Sequence, residues 1–313
     1  MEKYAPGKIL ITGSSGLVGN AITKCASSRE LKVLAHSRRK SSVWQDIINI
    51  DSIYFDLKNT EEVEFDKDVD TVIHTATSNE NKISSINSAL ENTLLGTYNL
   101  LNRCVVQGVK KFVYVSTVQL YSKQEGIISE NSEVDFSSIY TKQHYLVEQL
   151  LRVYASEFSE GVNILRVANV FSGSEYALGQ RYNLVPTCFI KDGVNLGKIV
   201  LKTNGEQKRN FISDQTVGEI AIKTLFFPTS NFQIINVATM YTPSIIEIAE
   251  MVKQEFQSQG IKLELIRGTV DGSNSHEQNF ETKFYKKSSV SEQKMLMIKS
   301  IRELIKNEVG NNT

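Results

Sequence analysis

Short apolar runs alternate with helix-like stretches along the first half of the chain. The runs show little of the apolar–polar alternation of a half-exposed strand, so they predict parallel strands that are buried on both faces. They are "KILIT" (8–12), "KVLAHS" (32–37), "SIYFDL" (52–57), "VIHTAT" (72–77) and "KFVYVST" (111–117). Helical stretches lie at 17–28 and from about Ser88 to Gln107. This order predicts the α/β class, with a doubly wound parallel sheet of the Rossmann type and right-handed crossovers.

The pattern loosens after "VNILRVANVFSG" (162–173). Loops and short strands follow, together with one helical stretch, "PSIIEIAEMVKQEF" (243–256). The polar segment "DGSNSHEQN" (271–279) is interpreted as a mobile loop. We therefore expect residues 1–173 to form the domain that holds most of the sheet. Residues 174–313 are expected to form mainly a smaller, interleaved lid that binds substrate, with some segments returning to the sheet.

Composition excludes several classes of protein. The chain has 313 residues, 41% of them hydrophobic and 22% charged, as in ordinary globular proteins. Basic and acidic residues balance at 35 each, so no global field favours nucleic acid. Cys25, Cys104 and Cys188 lack the paired spacing of disulfides or zinc ligands. The residues before the first strand show neither the basic region nor the long apolar stretch typical of a signal peptide, and no apolar run approaches the roughly 18 residues of a membrane span. We expect a cytoplasmic protein without metal, nucleic-acid or membrane partners.

Two helical stretches are apolar around much of their circumference. They are "NTLLGTYNLLNRCVVQ" (92–107) and "YTKQHYLVEQLLRVYASEF" (140–158). Surplus apolar surface of this kind often forms a subunit interface, which predicts a homodimer through the helices near 88–107 and 140–157. Packing of the same residues against the sheet explains the pattern equally well.

A glycine-rich turn follows the first strand. "TGSSGLVG" (12–19) places Gly13, Gly16 and Gly19 between strand and helix, the spacing that lets a pyrophosphate approach the backbone. The start of the helix adds unpaired N–H groups and a positive dipole. Ser15 and Leu17, on either side of Gly16, are assigned to the same contact. The motif predicts a dinucleotide site, with a purely structural turn as the alternative.

The residues after the second strand bear on the choice of dinucleotide. An NAD site usually has a carboxylate there to hold the ribose 2′-hydroxyl. "VLAHSRRKSS" (33–42) has none, and instead offers Arg38 and Arg39, which can hold a 2′-phosphate. NADP(H) is therefore favoured and NAD(H) stays possible, with a solvated basic loop as the alternative interpretation.

Further candidates for the cofactor site lie at the ends of the predicted third and fourth strands. Asp56 could accept a hydrogen bond from the adenine amino group, although Asp is also a common turn residue. Leu57 and Ala76 are assigned to the same cofactor site. His74 is interpreted as a packed histidine at a strand end rather than as a catalyst.

Nine motifs together resemble the extended short-chain dehydrogenase/reductase family of NAD(P)-dependent nucleotide-sugar epimerases, dehydratases and reductases. They include "TGSSGLVG" (12–19), "VIHTAT" (72–77), "FVYVSTVQLYS" (112–122), "YTKQHYLVEQ" (140–149), "ILRVANVFSG" (164–173) and "GEQKRNFI" (205–212). The resemblance implies a Rossmann-type domain with a nucleotide-sugar lid. It also implies Tyr140 as the catalytic acid/base, Thr117 as its hydroxyl partner, and Asn169 and Arg209 as substrate contacts, Arg209 to the diphosphate.

The chain departs from the family pattern at position 144. The family has a lysine four residues after the tyrosine, on the same helical face, where its charge lowers the pKa of the tyrosine. This chain has His144, and Lys142 at i+2 points away. A free histidine titrates near ~6.5 and a free tyrosine near ~10, so a neutral His144 would support a proton-donating Tyr140 better than a tyrosinate. The departure therefore favours reduction over alcohol oxidation.

Three functions remain open from the sequence. An NADPH-dependent reductase of a nucleotide-linked keto-deoxysugar fits the arginines and His144. A nucleotide-sugar 4-epimerase with retained NAD fits the same motifs, and a catalytically inactive dinucleotide-binding protein would explain His144. A 4,6-dehydratase is disfavoured, because Val118 and Gln119 replace the Asp-Glu pair that the family uses for elimination.

Overall fold

A computed structural model describes residues 4–40, 43–45, 47–59, 63–78, 85–122, 126–174, 184–227, 231–270 and 278–310. The strands are β1 (Lys8–Thr12), β2 (Lys32–Ser37), β3 (Ile50–Tyr54), β4 (Val69–His74), β5 (Lys111–Thr117), β6 (Gly126–Ile128), β7 (Val162–Val167), β8 (Asn169–Phe171), β9 (Lys198–Val200), β10 (Phe211–Ser213), β11 (Phe232–Val237), β12 (Glu264–Ile266) and β13 (Gln278–Phe280). The α-helices are α1 (Leu17–Ser27), α2 (Ile86–Ala89), α3 (Gly96–Gln107), α4 (Ile139–Tyr154), α5 (Thr187–Leu196), α6 (Asp214–Thr224), α7 (Ile245–Ser258) and α8 (Val290–Gly310).

Seven strands form one parallel sheet in the order β11-β7-β5-β4-β1-β2-β3. The chain builds outward from β1 in one direction and, from β4 onward, in the other. The order therefore reverses between β1 and β4, the place where open α/β sheets bind ligands beyond the carboxyl ends of their strands. The predicted fold class, a Rossmann-type doubly wound parallel sheet, is confirmed.

Burial of the central strands explains the lack of alternation in the sequence. Every residue of β1, β5 and β7 is buried, because the sheet is covered on both faces. One core cluster joins strand residues such as Leu10 and Phe112 to Leu100 and Leu101 of α3 and Val147 of α4. The apolar faces of these two helices are thus used in part for packing against the sheet.

The described residues form two compact units. The sheet unit takes its residues from Met1–Ser122, Ser132–Val167 and Gln215–Val237, and the second unit from Lys123–Asn131, Ala168–Asp214 and Ala238–Thr313. The second unit contains the two-stranded pairs β6–β13, β8–β10 and β9–β12 with α5, α7 and α8. The division at residue 173 predicted from the sequence stays a prediction. Most of the predicted loop 271–279, namely 271–277, lies outside the described residues.

Two element boundaries differ from the sequence pattern. β3 ends at Tyr54, so Asp56 lies in the turn after the strand rather than at its end. The predicted helix near 88–107 begins at Ile86 and passes through a π-helical segment, Leu90–Leu95, before α3.

None of the described helices combines the length and apolar character needed to cross a bilayer. Within the described ranges, no three or more His, Cys, Asp or Glu side chains group to hold a metal ion.

A buried ion pair joins α4 to the sheet. Glu148 accepts two hydrogen bonds from Arg166 of β7, at 3.1 Å from Nε and 2.7 Å from Nη2. It also accepts one from the Ser116 hydroxyl of β5 at 2.6 Å. Both charged side chains are almost fully buried, with exposures of 4% for Arg166 and 1% for Glu148. The bidentate geometry and the third donor offset the desolvation of the two charges.

Removing either partner of the Glu148–Arg166 pair should therefore lower the stability of the protein. Arg166→Met leaves the Glu148 carboxylate buried without its counter-charge, and we expect the free energy of unfolding in urea to fall by about 3–5 kcal/mol. The control is Arg103→Gln, which breaks a pair with Glu64, whose side chain is 74% exposed, and should cost less than about 1 kcal/mol. Equal losses in the two variants would contradict a structural role for the buried pair.

Candidate active site

The glycine turn is built by close approaches of the backbone. Gly13 has a positive φ of 71°, and a Cβ there would lie 2.8 Å from Thr75 Oγ1. A Cβ on Gly19 would lie 2.2 Å from the carbonyl oxygen of Gly13, far inside contact distance. The Gly16 N–H donates to that same carbonyl at 2.8 Å. Only residues without a Cβ permit this turn, as the motif predicts.

Helix α1 begins directly at the turn. Its N-cap is Gly16, which provides no side-chain cap for the first N–H groups. Leu17 is buried and anchors the first turn of the helix, while Ser15 is half-buried beside it. Backbone N–H groups and the helix dipole at this position suit an anionic pyrophosphate. The turn can therefore hold the phosphates of a dinucleotide.

The end of β2 presents the two arginines to solvent. Arg38 and Arg39 are exposed, and the Ser37 hydroxyl donates to the Arg39 carbonyl at 2.8 Å. The carbonyl of the preceding His36 accepts from the Ser14 N–H at 2.9 Å and from its hydroxyl at 3.0 Å. These bonds tie the basic segment to the glycine turn. Two exposed guanidinium groups next to the turn can contact a phosphate near it.

Sequence reasoning missed His36 itself. Its ring is buried, lies 4.1 Å from the Phe55 ring between centroids, and has Nε2 3.0 Å from the Phe55 carbonyl oxygen. Burial lowers the pKa of His36 to about 4, so the ring is neutral at pH 7. A histidine among the apolar residues of a strand gives no signal that its backbone carbonyl will bond the glycine turn or that its ring will bond the Phe55 carbonyl.

The turn after β3 is held by α3. Asp56 is half-buried and accepts from the Lys58 N–H at 3.0 Å, as a turn residue does. Leu57 is buried, and its carbonyl accepts from the Asn99 side chain at 2.9 Å. Gly96 packs so close that a Cβ there would lie 3.1 Å from the Leu57 Cβ. These contacts fix the position of Asp56. Its contact with adenine stays a prediction, as do the cofactor contacts of Leu57.

Two residues at the end of β4 meet the glycine turn. The backbone of Ala76 lies next to Gly13, where it would clash with a Cβ at 3.0 Å. His74 is fully buried, with Nδ1 2.6 Å from Thr12 Oγ1 and Nε2 2.9 Å from Thr97 Oγ1. Since Thr97 donates its own proton to the Thr93 carbonyl, it must accept from His74 Nε2–H. Burial lowers the pKa of His74 to about 3, which agrees with a packed, neutral histidine.

Helix α4 brings Tyr140 and His144 together. Ser138 caps the helix by accepting from the Thr141 N–H at 3.0 Å, so Tyr140 lies in the first turn. The i, i+4 spacing places the two rings 4.7 Å apart between centroids, edge to face at 74°. Tyr140 is half-buried and His144 is buried at 2% exposure. A phenol that keeps some solvent access above a buried imidazole can exchange a proton with a bound molecule.

Strand β5 contributes Tyr114, which contacts His144, and ends at Thr117. Thr117 is its last residue and is buried, and its hydroxyl oxygen accepts from the Gln119 N–H at 3.2 Å. Tyr114, three residues earlier, is completely buried, and its hydroxyl lies 2.7 Å from His144 Nδ1. Burial raises the pKa of Tyr114 well above its ordinary value, so its phenol keeps its proton. Sequence reasoning missed Tyr114, because a tyrosine within a buried strand looks like any other core residue.

The predicted substrate contacts belong to the second unit. Asn169 begins β8, and both its N–H and its side-chain amide donate to the Asn210 carbonyl, at 3.1 and 2.9 Å. Arg209 lies next to that residue, half-buried, with Nη1 donating to the Lys208 carbonyl at 3.1 Å. Burial lowers the pKa of Arg209, and no described carboxylate lies within ion-pair distance of it. A half-buried guanidinium that has no counter-charge among the described residues suits an anionic ligand such as a diphosphate.

A family model and several known proteins match the sequence of this chain. Residues 9–238 match the model of the NAD dependent epimerase/dehydratase family. A dTDP-4-dehydro-6-deoxy-D-allose reductase from Streptomyces sp is 24% identical over 270 residues, covering 80% of this chain and 82% of the relative. A dTDP-D-glucose 4,6-dehydratase from Mus musculus is 25% identical over 270 residues, covering 79% and 72%.

A solved structure shares the fold. It is a UDP-glucuronic acid 4-epimerase from Bacillus cereus in complex with UDP-glucuronic acid and NAD, with a TM-score of 0.76 and 20% identity. The match covers 95% of this chain and 99% of that one. The two sequence relatives and this structure carry the names of three different reactions, so the reaction has to be argued from the residues of this chain.

A methyl group in the glycine turn should block dinucleotide binding. Gly19→Ala forces the Gly13 carbonyl away from its position, and we expect NADPH affinity to weaken about tenfold or more in a fluorescence titration. The control is Gly310→Ala, where a Cβ meets nothing within 4 Å. Unchanged affinity in Gly19→Ala, with the control also unchanged, would contradict a phosphate site at this turn.

Proposed function

The chain belongs to the NAD dependent epimerase/dehydratase family, and from this premise we propose that it reduces a nucleotide-linked keto-deoxysugar with NADPH. Family membership confirms the resemblance to extended short-chain dehydrogenases/reductases that the motifs indicated. The observation that carries the proposal is the contact between Tyr140 and a buried His144 in place of the usual lysine. Without a fixed positive charge beside it, Tyr140 is suited to donate a proton rather than to exist as tyrosinate.

Most of the predicted residues would have a role in this reaction. The glycine turn and the start of α1 would hold the pyrophosphate of the cofactor, with Arg38 and Arg39 on the 2′-phosphate and Asp56 on the adenine. NADPH supplies the hydride for the keto carbon when it is bound. Tyr140 donates the proton to the keto oxygen, and the Thr117 hydroxyl bonds the same oxygen. Asn169 and Arg209 would bind the nucleotide-sugar, Arg209 through its diphosphate.

Two alternatives are weighed against the reductase. A 4-epimerase with retained NAD must oxidise and then reduce the sugar, and the oxidation needs Tyr140 to accept a proton. The structural similarity to a 4-epimerase keeps this reading open, whereas His144 and the exposed arginines count against it. An inactive dinucleotide-binding protein would rest on His144 alone. Dehydration is disfavoured, since Val118 and Gln119 in the turn after Thr117 are neither acid nor base.

Stoichiometric consumption of NADPH tests the proposal. With a dTDP- or UDP-linked 4-keto-6-deoxysugar, we expect one NADPH oxidised per sugar reduced, followed as loss of absorbance. Tyr140→Phe should lower kcat about 100-fold or more and leave NADPH affinity unchanged, because only the proton donor is lost. Tyr145→Phe, a neighbouring tyrosine on the same helix that stacks on Phe136, is the matched control and should keep its activity.

Each result that would contradict the reductase has its own meaning. Turnover of a nucleotide-sugar without net change in NADPH absorbance would point to the epimerase. Absence of dinucleotide binding would point to the inactive protein. Full activity in Tyr140→Phe would remove this residue from the mechanism.

We also propose that two copies of the chain pair through α4 and the helices that precede α3. An apolar groove of about 270 Å³ runs between these helices, lined by residues that include Ile86, Leu90, Phe136 and Leu146. Each of these four side chains is at least 39% exposed, which is unusual for large apolar residues that lie side by side. Continuous apolar surface of this kind suits a self-complementary interface.

The cytoplasmic location stays a prediction.

A charge in the groove should separate the two copies. We expect the wild type to sediment as a dimer and Leu146→Glu to sediment as a monomer, because a carboxylate would be buried without a partner. The control is Leu196→Glu, which alters a leucine that is 62% exposed in the second unit. A monomeric wild type, or a Leu146→Glu protein that stays dimeric, would contradict this interface.

A further inference from the structure

Two side chains of β5 face two side chains of α4 in matching register. Tyr114 meets His144 at 2.7 Å, and Ser116 meets Glu148 at 2.6 Å. Two residues along a strand span about 6.6 Å, and four along a helix about 6 Å, so both pairs can form at once. The Glu148 pair is held further by Arg166, which anchors the register. The Tyr114–His144 bond is therefore built into the packing of the helix on the sheet.

The direction of the Tyr114–His144 bond follows from counting hydrogens. The Tyr114 hydroxyl has no second hydrogen-bond partner among the described residues, and it is completely buried. If His144 donated from Nδ1, the Tyr114 hydrogen would be left buried and unsatisfied, which costs free energy. Donation from Tyr114 to Nδ1 is the arrangement that satisfies the Tyr114 hydrogen. This leaves Nδ1 as the acceptor and places the ring proton of a neutral His144 on Nε2.

We infer that Tyr114 is a positioning residue that holds His144 as the neutral Nε2–H tautomer and, through it, fixes Tyr140. The link to Tyr140 is the edge-to-face contact, at 4.7 Å between centroids, which restrains the phenol in the first turn of α4. A protonated His144 would carry hydrogens on both ring nitrogens and would lose the bond from Tyr114. The pair thus keeps positive charge away from Tyr140, which retains its proton for donation. The inference rests on the proposed reduction for its kinetic consequence, but not for the tautomer.

The tautomer can be measured without any substrate. Nitrogen-15 NMR of the imidazole rings distinguishes a protonated from an unprotonated ring nitrogen, and the His144 signals are assigned from their loss in His144→Gln. In the wild type we expect an unprotonated Nδ1 and a protonated Nε2. In Tyr114→Phe we expect both signals to move toward the averaged values of a ring that exchanges tautomers. A protonated Nδ1 in the wild type, or an unchanged spectrum in Tyr114→Phe, overturns the inference.

Kinetics test the effect on Tyr140. Tyr114→Phe should lower kcat for the reduction about tenfold, because it removes the one buried hydrogen bond that orients His144. The affinity for NADPH should stay unchanged. The matched control is Tyr154→Phe, which removes the hydroxyl that bonds Asn102 at 2.6 Å at the far end of α4 and should keep kcat. In a His144→Lys background, where no acceptor remains, Tyr114→Phe should change kcat less than about twofold. A tenfold loss in both backgrounds would show that Tyr114 acts independently of His144 and would overturn the inference.

These readouts separate the two proposals. If the wild type turns over no keto-sugar, the proposed function fails, and the nitrogen-15 spectra still decide the tautomer. If the wild type is an NADPH-dependent reductase whose His144 spectrum does not respond to Tyr114→Phe, only the positioning role fails.

Discussion

The attachment of α4 to β5 is the constraint on which the candidate active site depends. Two hydrogen-bonded pairs, Tyr114–His144 and Ser116–Glu148, hold helix and strand in one register. Arg166 reaches the same carboxylate from the neighbouring strand, directly across from Ser116. A slip of the helix by one residue would break these bonds together and leave a charge buried alone. Tyr140 owes its position to this register, since it lies one turn before His144.

The dinucleotide site depends on a separate constraint. Gly13 and Gly19 allow the turn after β1 to close on itself, and the Ser14 bonds to the His36 carbonyl join that turn to the end of β2. The sheet reverses its strand order between β1 and β4, next to this turn, and open α/β sheets bind ligands beyond the carboxyl ends of the strands at such a reversal. The proposed binding of the cofactor and the proposed donation of the proton would thus rest on different sets of contacts within the sheet unit. A substitution in one set can leave the other intact.

Much of the fold could be predicted because its signals are local. Strands buried on both faces lack alternation, and the three glycines sit at a fixed spacing where strand meets helix. The partners of buried polar groups could not be predicted, because they come from distant parts of the chain. Tyr114 and His144 are 30 residues apart, and His74 meets Thr12 across 62 residues. The position of Asp56 was missed by two residues because the apolar pattern continues through Phe55 and Leu57 beyond the last paired residue of β3.

We propose that this chain uses Tyr140 as a proton donor for NADPH-dependent reduction. The most direct measurement is the identity and affinity of the dinucleotide, obtained by releasing any nucleotide from the purified protein and then titrating it with NADPH and NADH. The account predicts exchangeable binding that favours NADPH, through Arg38 and Arg39. NAD that stays bound through purification, or no binding of either dinucleotide, would contradict it.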